Sequence, residues 1–149
     1  TRLVIPEILS EPVVRLEDQT LEIVESGEGE SKHVACLHIP SLRALCCADL
    51  LYNNAHAYLQ ERHLEGWLAR LDELASFIKE RISTIYPGHG NPGGAELVEH
   101  TRDYLRDFSD AVRLGNAASA QEYMLAKYPE YHVKQFLTAF SIPAYFSGP

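Results

Sequence analysis

A layered α/β or α+β architecture, with helices laid over a sheet, is what the sequence predicts. Three observations carry this expectation. Short β-type apolar runs crowd residues 21–48, two long stretches repeat their apolar residues at helical spacing, and another short strand lies between those stretches. The order is strands, helix, strand, then helices, with long helices outweighing strands.

The elements follow in chain order. Residues 1–20 hold Pro6 and Pro12 with little pattern and read as an extended lead-in. Leu21-Glu22-Ile23-Val24-Glu25 alternates and predicts a half-exposed strand. Ser26 to Lys32, with two glycines and two glutamates, predicts a loop. His33 to Ile39 and Leu42 to Ala48 are apolar runs parted by Pro40-Ser41, the pattern of a hairpin of buried strands. Leu64, Trp67, Leu68, Leu71, Leu74, Ala75 and Ile78 define one face of an amphipathic helix, with Glu65, Arg70, Asp72, Glu73 and Lys79 on the other. Ile82 to Tyr86 predicts a short strand stopped by Pro87-Gly88. Leu97, Val98, Thr101, Tyr104, Leu105, Phe108 and Val112 mark a second long helix that ends near Gly115. Ser119 to Lys127 and Val133 to Phe140 predict two shorter helices parted by Pro129. A single domain is expected over residues 1–149, divided into the lead-in, a body over 21–115 and a helical tail over 116–149.

Composition narrows the function classes. The chain is 46% hydrophobic and 23% charged, ordinary for a globular protein with a core. Its formal charge is -8, and it has no Lys/Arg cluster. A nucleic-acid partner is therefore not expected. No apolar run approaches the roughly 20 residues of a membrane span, so no membrane partner is expected either. Cys36, Cys46 and Cys47 are odd in number, with two of them adjacent. That is a poor disulfide framework, and no CxxC pair suggests a thiolate metal site. Buried, reduced thiols in strands are expected, which points to the cytoplasm.

Two segments carry chemistry. Gly88-His89-Gly90 lies between a predicted strand and a helix, where flanking glycines let the backbone turn tightly and a ligand reach the imidazole. Asp49 closes a very apolar strand, a costly place for a carboxylate unless it is paired, hydrogen-bonded or metal-bound. Together they are natural ligands for a hard or borderline metal. His56 follows in Tyr52-Asn53-Asn54-Ala55-His56. Structural roles remain open for each: Asp49 as a cap of the following segment, His89 as an exposed loop residue, His56 as a packed side chain. The remaining histidines read as structural or exposed, and Trp67 as a core anchor.

The ordered string Leu37-His38-Ile39-Pro40-Ser41, Ala48-Asp49-Leu50-Leu51-Tyr52-Asn53, His56, Trp67-Leu68, Leu71, Tyr86-Pro87-Gly88-His89-Gly90 resembles the C-terminal half of a metallo-β-lactamase-fold hydrolase. The resemblance covers residues 20–112, and the tail to Phe140 is compatible with it. It implies half of an αβ/βα sandwich: a small mixed sheet covered by helices, with metals in the cleft between the two halves. By the same resemblance Asp49 matches the aspartate that bridges two metals, and His89 a ligand of the second. The divalent metal would be zinc first, with iron or manganese as alternatives. Glu28, in Gly27-Glu28-Gly29, stands nearest the place of a further histidine ligand, and His56 is the other secondary candidate. Tyr52, Asn53 and His56 would line the substrate side. The aromatic residues Tyr123, Tyr128 and Phe136, with Met124, would either cap the cleft or pack among helices.

The first-half motif His-x-His-x-Asp-His is absent from the chain. A hydrolytic zinc needs about three protein ligands and an activated water. Asp49 and His89 alone would hold a metal loosely, so the isolated chain is expected to carry little or none and to be inactive as a monomer. Two function classes follow. One is the C-terminal portion of a metal-dependent hydrolase, partnered by its missing N-terminal half. The other is a non-catalytic half-fold binding or assembly module, associating with itself to cover the sheet that the other half would meet.

Overall fold

The computed structural model describes residues 8–147; the first seven residues of the expected lead-in lie outside them. Five strands form one sheet in the order β1-β2-β3-β4-β5. They are β1 (Val13–Leu16), β2 (Gln19–Gly27), β3 (Val34–Ile39), β4 (Ala44–Tyr52) and β5 (Thr84–His89). Neighbours pair antiparallel from β1 to β4, and β4 pairs parallel with β5, so the sheet is mixed. The helices are α1 (Leu64–Ile78), α2 (Glu96–Val112), α3 (Ala117–Lys127) and α4 (Ile142–Phe146).

Several expected boundaries move, each for a local reason. Residues 13–20 are not an extended lead-in. Val13–Leu16 turns back on β2 through Glu17-Asp18, with Glu17 left-handed at φ 55°. The first apolar run of the hairpin matches β3, but Leu42 belongs to a 3₁₀ turn, Pro40–Leu42. β4 then continues past Ala48, so Asp49 sits inside the strand rather than at its end. Ala48 adopts φ 45°, and the β4–β5 register slips on both sides of it. This bulge lets the strand carry on into the buried Leu50-Leu51. Pro87-Gly88 does not stop β5 either, because β5 is an edge strand and Pro87 needs to donate no ladder hydrogen bond there. Val133 to Phe140 is not an α-helix: a π-helical turn spans Phe136–Ser141 and runs into α4. Pro143 cannot donate to the previous turn and crowds its carbonyl, and a wider winding accommodates that.

Helices α1 and α2 pack on the sheet through apolar stripes. Trp67, Leu71, Leu74 and Ile78 of α1 meet Leu97, Val98, Leu105 and Phe108 of α2 and the inward residues Cys36, Leu45, Cys47, Leu50 and Ile85 in one core. Two polar ties set the helices against β4. The Trp67 indole donates to the Leu50 carbonyl at 2.9 Å, and the Tyr52 amide donates to Thr101 Oγ1 at 3.3 Å. α3 starts at Asn116, whose side chain accepts from the Ser119 amide at 2.8 Å, an N-cap. Alternate residues of the same strands face the other way. There Ile23, Ala35, Leu37, Cys46, Ala48, Tyr86 and Pro87 line a shallow apolar concavity open to solvent. The three cysteines are free thiols, Cys36 and Cys47 buried in the core and Cys46 on this open side.

Trp67→Phe keeps most of the buried volume but leaves the Leu50 carbonyl without its donor. It should lower unfolding free energy by about 1–3 kcal/mol, read as a reduced urea midpoint.

Candidate functional site

Parallel pairing of β4 with β5 places Tyr52 opposite His89, and the Asn53 amide donates to the His89 carbonyl at 2.9 Å. One turn of the ladder away, Asp49 Oδ1 lies 3.4 Å from His89 Nε2. Both side chains are partly exposed, at 42% and 35%, so an ion or substrate could reach them from solvent. Backbone closeness explains the glycines. A Cβ on Gly88 would strike Asp49 Oδ1 and come within 2.7 Å of the Ala48 carbonyl group, while Gly90, at φ 93°, lies against the Asn53 carbonyl. The glycine flanks therefore serve the approach of β5 to β4.

The imidazole of His89 is held by aromatic rings. Tyr52 stacks on one face with ring centroids 5.3 Å apart and an interplanar angle of 14°, and Phe136 meets it edge-on at 5.2 Å. Of the tail residues expected to cap the cleft or pack, Phe136 reaches His89. Met124 is buried, Tyr128 packs on Tyr104 and Tyr131, and Tyr123 lies beside Lys127.

Tyr52 is almost wholly buried, and its hydroxyl donates to Glu30 Oε2. Burial is the main reason the Glu30 carboxyl is pushed above the usual carboxylate range; the Tyr52 hydrogen bond opposes this, and the charges of Asp49 and Glu61 add to it. Burial and the Glu30 contact likewise hold the Tyr52 phenol protonated far above its ordinary range. Glu30 was not singled out from the sequence, where it is one of several loop glutamates. Its signal, in hindsight, is the repeated Gly-Glu step of Gly27-Glu28-Gly29-Glu30.

The other candidates fall elsewhere. Glu28 turns to the start of α1, where its carboxylate abuts Gly66 and stands 3.7 Å from His63 Nδ1. His63 Nε2 is in turn 3.4 Å from Glu61. Asn53 spends its side-chain amide on the Asn91 carbonyl at 2.8 Å. His56 is fully buried, its Nδ1 3.0 Å from the Tyr104 hydroxyl and its ring edge-on to Tyr104 and Tyr131. Of the open alternatives, packing is the role its surroundings describe. Burial is the first cause, and Lys134 the second, of a His56 pKa lowered from 6.5 to about 4.

Asp49 and His89 offer one hard oxygen and one borderline nitrogen in a region rich in carboxylates, a donor pair suited to a divalent cation. Among the described residues, no group of three His, Cys, Asp or Glu side chains assembles in a way that could hold a metal ion. The donor set here is thus a portion of a centre, short of the three protein ligands a hydrolytic zinc requires. No helix of the described residues is long and apolar enough to cross a membrane.

No family model matches the chain. Solved structures do. A metallo-β-lactamase from Pontibacter korlensis superposes with a TM-score of 0.60 at 19% identity, over 66% of this chain and 47% of that one. The DIM-1 metallo-β-lactamase gives 0.57 at 22% identity, over 66% and 46%. TMB-1 gives 0.59 at 24% identity, over 69% and 48%. The chain spans about half the length of each, and its fold is that of part of a metallo-β-lactamase.

Two expectations follow from the site. Gly88→Ala should displace the Asp49 carboxylate or part β5 from β4, and a melting temperature lowered by several degrees would register it. For His56, the unfolded chain binds more protons than the folded one between pH 4 and 6.5, so stability is full above 6.5 and lost as pH falls toward 4. That loss, roughly 3 kcal/mol, should be largely missing in His56→Gln when urea unfolding is compared at pH 7 and pH 4.5.

Proposed function

We propose that this chain acts as the C-terminal portion of a metal-dependent hydrolase of the metallo-β-lactamase superfamily and contributes only part of a metal centre. The observation that carries this reading is the Asp49–His89 pair, joined across a parallel ladder on the matching fold. The two residues would give a carboxylate oxygen and an imidazole nitrogen to a divalent metal, zinc first, with iron or manganese as alternatives. When bound, such a metal supplies a hydroxide at neutral pH. Within this chain the residues orient and pair; the remaining ligands and the water-activating geometry would come from the other half of such a fold. The open apolar face around Leu37, Cys46 and Tyr86 supports a partner at that surface, which the other half of a sandwich would cover. Three free thiols favour a cytoplasmic setting.

A second reading is a non-catalytic module that covers the same face by pairing with another copy. The incomplete donor set favours it. Solution mass separates the two, because a chain that remains monomeric across concentration counts against self-association.

The metal reading is tested by zinc content after equilibrium dialysis. Weak zinc uptake by the wild-type chain should fall to background in Asp49→Ala and His89→Ala, with the fold kept by circular dichroism. Equal zinc in all three proteins would overturn it. Asp49 lies within β4 and the next helix begins only at Leu64, so the capping role that the sequence left open for it falls away.

A further inference from the structure

Metal-binding histidines are ordinarily oriented through the ring nitrogen that does not face the metal, by a hydrogen bond to a carboxylate, a carbonyl or water. In His89 the Nε2 faces Asp49 Oδ1 at 3.4 Å. The ring lies flat against Tyr52, at 14°, with the edge of Phe136 standing almost perpendicular to it at 89°. The platform is itself locked. Tyr52 is 4% exposed, its ring also packs at 6.0 Å against Trp67, and its hydroxyl donates to Glu30. The Trp67 indole is tied to the Leu50 carbonyl two residues before Tyr52. A run of ring contacts thus leads from the helix-anchored indole, tilted at 52° to the phenol, to the stacked imidazole, with the phenol hydroxyl hydrogen-bonded to Glu30.

We propose that Tyr52 and Glu30 are positioning residues: the Glu30-held phenol, by stacking, aims the His89 imidazole at the point it shares with Asp49. The inference rests on the reading of His89 as a metal ligand and adds what holds it ready. Tyr52 is therefore an orienting surface behind the site, not a wall for substrate. Glu30 acts through Tyr52 and need not touch the metal.

The test uses the full chain and zinc ions, with two readouts that a merely structural role would not separate. Ring-proton signals of His89 in the metal-free protein report its stacking, and competition with a chromophoric chelator reports zinc affinity. Tyr52→Phe keeps the ring but frees it from Glu30. It should shift or broaden the His89 signals and weaken zinc binding by about tenfold or more, with the urea midpoint little changed. Glu30→Ala should do the same, whereas Glu30→Gln, which retains an acceptor for the phenol, should restore both readouts. Wild-type His89 signals in Tyr52→Phe and Glu30→Ala would overturn the proposal, whatever the zinc result. If His89 moves as expected but the wild-type chain takes up no zinc that depends on Asp49, the positioning stands and the metal reading fails.

Discussion

Parallel pairing of β4 with β5 brings together segments that are distant in the chain, and almost every feature of the candidate site depends on that ladder. It sets Tyr52 opposite His89 and draws Asp49 alongside. A parallel neighbour requires a crossover. Here α1 supplies it, anchored to β4 by the Trp67 indole, so the helix that makes the connection also fixes the strand bearing the carboxylate. Packing and chemistry therefore share a support: loosening the core around Trp67 would loosen the platform beneath His89.

One of the chain's left-handed residues stands at the same place. Ala48 is left-handed beside Asp49, a conformation that costs an L-residue roughly 1 kcal/mol. Gly88 admits the Asp49 carboxylate where any side chain would collide. The bulge interrupts the simple alternation of β4, so that Cys46 and Ala48 look out from the open face while Leu50, Leu51 and Tyr52 turn inward. Strain tolerated beside a charged, half-exposed pair is common where a surface has work beyond stability.

Long helices were legible because α1 and α2 repeat their apolar residues for several turns, and the strand–helix order followed from them. The meeting of Asp49 with His89 was suggested by the family resemblance and not by either segment alone, since Asp49 lies inside β4 and the glycines beside His89 serve the approach of β5 to β4. What escaped the sequence depends on register or on contacts between remote residues. Val13–Leu16 forms a strand only because β2 is there to pair with it, and nothing within Val13 to Leu16 announces the turn at Glu17. Continuation of β4 through Asp49 depends on a bulge, and a polar residue after an apolar run looks like an end. Glu28 and Glu30 cannot be told apart in a glycine-rich loop until the direction of each side chain is known, and the burial of His56 comes from Tyr104 and Tyr131, far along the chain.

Beyond β5, the loop carrying Gly93 folds back, and Ile85 and Gly93 exchange both amide hydrogen bonds, at 2.8 and 3.0 Å. An incoming strand would find the peptide groups of Ile85 already taken, and Pro87 brings no N–H of its own. Ribbon-like growth of the sheet is thereby blocked along that margin. Association on this side of the protein is left to face-on contact, where shape and greasiness govern recognition and backbone hydrogen bonding has no part.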